Sequence, residues 1–156
     1  GVSGGEYNDK EFEFVNFSYN EVVDDLKKFI RLFRRSNPEK RIIFTVSPVP
    51  LAATYEKRSV LVSTVYSKSV LRAAAGAIQA DDPLVDYFPS YEIITGPNGR
   101  HSFYESDMRN VHKSGVEIVM DYFLGAYPNL FAGAKQIVSI DESESIHCEE
   151  ALLAGE

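Results

Sequence analysis

Ile42-Ile43-Phe44-Thr45-Val46 is an unbroken run of β-branched and aromatic residues with a helical pattern on either side, and this arrangement narrows the fold most. A short strand without polar alternation is one covered on both faces, which is the habit of parallel sheets wrapped by helices. Upstream, Ser18 and Glu21 have the spacing of a capping box. Val22, Leu26, Phe29, Ile30 and Phe33 then fall on one face, predicting a helix over 19–35 that Ser36-Asn37-Pro38 ends. Arg31, Arg34 and Arg35 lie in its last turns, where cations meet the negative end of the helix dipole. Downstream, Val70, Leu71, Ala74 and Ile78 predict a second helix over 67–79, stopped by Asp81-Asp82-Pro83.

A second strand is expected over 85–95, bent at Pro89, followed by the turn Gly96-Pro97-Asn98-Gly99. A capping box at Ser114 and Glu117 opens a third helix, whose buried face would be Val116, Val119, Met120, Phe123 and Leu124. The order helix, strand, helix, strand, helix predicts an α/β fold, with the first strand central and the strands parallel through a right-handed crossover. Ligands of such sheets bind beyond the carboxyl ends of the strands. The loops there are 47–66, in which Val60 to Thr64 reads as a small strand or turn, and 96–113.

The 156 residues suit one domain, with an irregular lead-in over 1–16. Asp141, Glu142, Glu144, Glu149, Glu150 and Glu156 carry most of the formal net charge of -7, so the chain divides into a domain over 1–126 and an acidic, flexible tail over 127–156. That charge argues against a nucleic-acid partner, because such affinity comes from Lys and Arg displacing counterions. No apolar run approaches the roughly 20 residues of a membrane span. Cys148 is alone, which rules out an internal disulfide or a cysteine-based zinc site and suggests a cytoplasmic setting.

Asp107 and His112 share the second loop just before a helix, where an acid could orient a base; the plain alternative is a turn cap and a solvated histidine. His101 is a rival base on the same loop. Ser47 follows the first strand directly, where a hydroxyl would face the crevice, although a serine before proline also serves turns. No G-x-S-x-G surrounds any serine, so no nucleophile is marked. Lys68 and Arg72, four apart on the second helix, could hold an anion or simply be solvated. Tyr91 and Glu92 fall on the expected second strand, where a buried Glu92 would require a partner. His101, His112 and His147 lack metal-ligand spacing and no glycine-rich nucleotide loop occurs, so neither a metal nor a cofactor is expected.

Four blocks together resemble the GSCFA-domain family of bacterial proteins: Phe44-Thr-Val-Ser-Pro-Val-Pro-Leu51, Ser63-Thr-Val-Tyr-Ser-Lys-Ser-Val-Leu-Arg72, Asp86-Tyr-Phe-Pro-Ser-Tyr-Glu-Ile93 and Phe103-Tyr-Glu-Ser-Asp-Met-Arg109. The resemblance runs from about Phe12 to Leu124. It implies a three-layer, flavodoxin-like or SGNH-hydrolase-like parallel sheet related to carbohydrate O-acyl esterases. The family's Gly-Ser-Cys-Phe-Ala block, with its serine nucleophile, is absent here, so the resemblance implies the C-terminal part of such a hydrolase, its sheet incomplete at the N-terminus. Many members carry Asp-x-x-His in the last block; here Asp107 meets Asn110 at that spacing, and His112 stands two residues on.

The expected activity is hydrolysis of an ester-linked acyl group, with a small-molecule or carbohydrate ester as substrate. Asp107 would orient His112 as base, while Ser47, Lys68, Arg72, Tyr91, Glu92 and His101 would shape the substrate site. Two alternatives stand beside it. One is a glycan- or small-molecule-binding domain without Asp-x-x-His chemistry, and the other is a structural segment that recruits a partner.

Overall fold

The computed structural model describes residues 13–97 and 103–130. Asn16–Pro128 form one compact unit, which holds both strands and the four α-helices. Its elements are α1 (Tyr19–Phe33), β1 (Ile42–Thr45), α2 (Val60–Asp81), β2 (Val85–Phe88), α3 (Ser90–Thr95) and α4 (Lys113–Ala126). A 3-10 turn follows at Pro128–Leu130. The expected tail beyond residue 130 lies outside the described residues.

The fold is mixed α/β, with β1 and β2 paired in parallel and Ile42 opposite Val85, Phe44 opposite Tyr87, and Thr45 opposite Phe88. Among the described residues the sheet has these two strands, so β1 has one neighbouring strand there. Side chains alternate across a strand. Ile42, Phe44 and Val85 pack with Val23, Leu26 and Ile30 of α1 and Ile78 of α2, which makes the core. The intervening residues turn to α4, where the ring of Phe88 meets Phe123 edge-on at 5.0 Å.

α1 begins as its capping box predicts: the backbone N–H and hydroxyl of Ser18 both donate to Glu21 Oε2, at 2.8 and 2.7 Å. Both bonds hold the Glu21 carboxyl below its usual range.

Four expectations are corrected. The second helix starts at Val60 rather than Ser67, and the stretch read as a strand or turn is its first turn. The Ser59 hydroxyl caps it by accepting from Leu61 N at 3.3 Å. Val60, Leu61, Val62 and Val65 are β-branched or apolar yet exposed, so composition there misleads. The second strand stops at Phe88, because Pro89 takes the N-cap position of α3 and the chain coils. Tyr91 and Glu92 are therefore helical. In α4 the cap is His112, not Ser114: its Nδ1 accepts from Ser114 N at 3.2 Å. Val116, Met120 and Leu124 of α4 are exposed rather than buried.

Candidate functional site

β1 runs out at Thr45 and its chain continues over the carboxyl end of the sheet as Val46-Ser47-Pro48-Val49. Here an open groove of about 480 Å³ lies between this segment, β2, α3 and α4. Val111, Val116, Val119, Met120 and Phe123 give it one wall, and Phe88 and Ile94 face them. Val116 and Met120, exposed on α4, thus belong to a groove wall, which explains why this part of a hydrophobic stripe at helical spacing is only half covered.

The groove's polar atoms are hydroxyls of Thr45, Ser47 and Ser90. Ser90, buried at the start of α3, donates to the carbonyl of Val46 at 2.9 Å. Its oxygen lies 2.6 Å from Thr45 Oγ1, which is left to donate to it. Ser47 Oγ accepts from Val49 N at 3.2 Å, a turn bond that leaves the hydroxyl hydrogen free. Tyr104 donates to the carbonyl of Pro48 at 2.8 Å and holds the segment from above. Ser47 is thus at the groove, as expected, whereas Thr45 and Ser90 were not foreseen. The signal for Ser90 was its place in Tyr-Phe-Pro-Ser-Tyr-Glu, read as strand when it is a helix start.

Arg72, Tyr87 and Glu92 meet on the other face of the sheet. Arg72 Nε donates to Glu92 Oε1 at 2.5 Å, Tyr87 donates to Glu92 Oε2 at 2.9 Å, and the Arg72 guanidinium lies 4.0 Å from the centre of the Tyr87 ring. Burial, and then the Glu92 carboxylate, hold the Tyr87 phenol well above its usual value. Two expected ligand residues, Arg72 and Glu92, are therefore partners of each other, and the pair ties α2 to α3 with no net charge. Lys68, one turn earlier on α2, is buried, and burial pushes its ammonium below its ordinary pKa. Tyr91 accepts at its carbonyl from Thr95 Oγ1 at 2.7 Å, which adds no chemistry of its own.

Asp107 and His112 lie on the loop before α4, of which Val111 lines the groove, and are not hydrogen-bonded to each other. Asp107 accepts from Arg109 N, Asn110 N and Asn110 Nδ2, at 2.9, 3.0 and 2.6 Å. Those bonds hold its carboxyl low and shape a turn that Met108 completes at φ 57°. His112 Nδ1 faces the Ser114 hydroxyl at 2.9 Å, and its Nε2 lies 4.0 Å from Glu105, a carboxylate the sequence reading passed over. With Nδ1 accepting from a backbone N–H, the neutral ring carries its proton on Nε2. His101 lies outside the described residues. Among the described residues no cluster of three or more His, Cys, Asp or Glu could hold a metal, and no helix is long and apolar enough to cross a membrane.

Parallel strands, helices and a groove at the carboxyl end of the sheet define an α/β domain with a ligand-sized apolar site. The GSCFA family model matches residues 4–123, and the chain belongs to that family. No curated protein and no solved structure matches it.

Proposed function

We propose that this chain forms the C-terminal part of an SGNH-like hydrolase that cleaves ester-linked acyl groups, with a carbohydrate or other small molecule as the alcohol half. The observation that carries this reading is the groove at the carboxyl ends of β1 and β2, apolar along its length and ringed by hydroxyls where β1 ends. It is where an open α/β sheet takes its ligand. A serine from the family's Gly-Ser-Cys-Phe-Ala block would attack the ester carbonyl. His112, between the groove residues Val111 and Val116, would accept the serine proton and return it to the departing alcohol. That role requires Nε2 to give up its proton, which follows if the ring leaves its cap on Ser114. Asp107 would act through the turn it holds, positioning the loop that carries His112.

The cap itself favours a second reading, a binding domain that keeps the groove without turnover, since both Asp107 and His112 already have local partners. Turnover of nitrophenyl esters by the full-length gene product decides between them. The first reading expects hydrolysis that falls at least 100-fold in His112→Ala. Saturable binding of an acylated sugar with no hydrolysis establishes the second.

A further inference from the structure

We infer that the groove selects acyl chains several carbons long over acetyl, a specificity that rests on the acyl-ester reading above but concerns the groove alone. At about 480 Å³ it is in the size range of pockets that enclose whole small ligands, roughly 300–1,000 Å³. An acetyl group would leave most of it to water against a hydrocarbon wall. Its hydroxyls gather where β1 ends. Ser47 offers a hydroxyl hydrogen at the strand end, and Thr45 and Ser90 satisfy each other beside it. The rest of the lining is apolar, Val116, Val119 and Met120 of α4 among it. A ligand matching this pattern has one uncharged acceptor oxygen at its head and a hydrocarbon tail. Among the described residues no Lys or Arg lines the groove to bind a carboxylate, which favours the neutral ester carbonyl over a free acid. The tail, lying along α4, covers side chains that are otherwise in water: Met120 is 43% exposed and Val116 50%. Each methylene buried there raises affinity roughly four-fold.

The test is calorimetric titration of the whole chain with butanamide and octanamide, neutral acyl probes that require no turnover. Octanamide is expected to bind at least ten-fold more tightly than butanamide. Met120→Trp, which fills the groove from an exposed position, is expected to weaken octanamide at least ten-fold with an unchanged circular dichroism spectrum. Val116→Gln, which lines the wall with an amide, is expected to do the same and serves if the tryptophan variant fails to fold. Equal affinity for the two amides, or octanamide binding that ignores both folded variants, overturns the inference. So does a self-association, seen by sedimentation, that octanamide leaves intact, because the groove is then occupied by a second copy. The outcomes separate this inference from the hydrolase reading. Octanamide binding by a full-length protein that cleaves no ester sustains the groove and removes the hydrolase, whereas hydrolysis of acetyl and octanoyl esters at equal rates does the reverse.

Discussion

Arg34, just past the end of α1, forks onto Asp82, just past the end of α2, with Nη1 and Nη2 at 2.5 and 3.0 Å from the two carboxylate oxygens. The pair fastens the two helices at the end of the sheet away from the groove. Arg34 first, and then the N–H of Leu84, hold the Asp82 carboxyl below its usual value. In the acid range the unfolded chain therefore binds more protons at this site than the folded one. The stability it lends is complete above the unfolded value of about 3.9 and drains away as the pH falls from there through the folded value. Asp82→Asn is expected to melt at a lower temperature than the parent at pH 7, with the gap closing towards pH 2. Thermal melts followed by circular dichroism at the two pH values check this, and an equal gap at both refutes it.

Ser90 supports the groove by holding the carbonyl of Val46, the residue that carries β1 into the groove rim. Ser90→Ala leaves that buried carbonyl without its donor and is expected to cost about 1–3 kcal/mol. Thr45→Val should cost less, because Thr45 is exposed and water replaces its lost partner. The double variant is expected to be less destabilised than the sum of the singles, because the two hydroxyls share one bond. Strict additivity in urea unfolding would show that they do not interact.

Where a local signal is strong the sequence was legible. Ser18 and Glu21 started α1 where expected, and the run Ile42 to Thr45 is a parallel strand. The errors came where local chemistry has two readings. Val60 to Thr64 look like a strand or turn because β-branched residues favour one, yet one serine cap before them starts a helix. Tyr91 to Thr95 look like strand until Pro89 turns the chain. The groove was illegible for another reason. It joins Thr45, Ser90 and Val119, residues brought together by tertiary packing that no window of sequence contains. Asp107 and His112 were near in sequence, but the backbone N–H groups after each were nearer and took their acceptor atoms.

Lys68 is 9% exposed, and burial alone lowers its pKa from 10.5. Between that lowered value and 10.5 the unfolded chain holds more protons at this site, so its contribution to stability improves as pH rises through the window. Below the folded value the full penalty of a buried ammonium is present. Lys68→Met keeps the apolar stem and removes the charge, so it is expected to raise the urea midpoint at pH 7 and to lose that advantage as the pH approaches 10.5. A midpoint lower than the parent's at pH 7 would show that the ammonium stabilises the fold.

Gly115 is buried in the first turn of α4, packed against α3 and the segment before the helix. A Cβ there would lie 2.9 Å from Val111 Cγ1, 3.0 Å from Phe103 Cβ and 3.2 Å from Ile94 Cδ1. Alanine gains up to about 1 kcal/mol of helix propensity over glycine. Overpacking a tight contact costs typically 1–3 kcal/mol, and here the crowded atoms include a Cβ fixed to the backbone, which cannot swing aside as a side-chain tip does. The steric term should win, so Gly115→Ala is expected to destabilise the domain by about 1 kcal/mol. Val111 and Ile94 also line the groove, so the strain should reach it. Octanamide affinity is expected to fall together with the urea midpoint. By contrast, Gly125→Ala, at the far end of the same helix, meets no atom within 4 Å and should leave both unchanged or slightly improved. If Gly115→Ala matched Gly125→Ala in both measurements, α4 would not be pressed against α3 at this point.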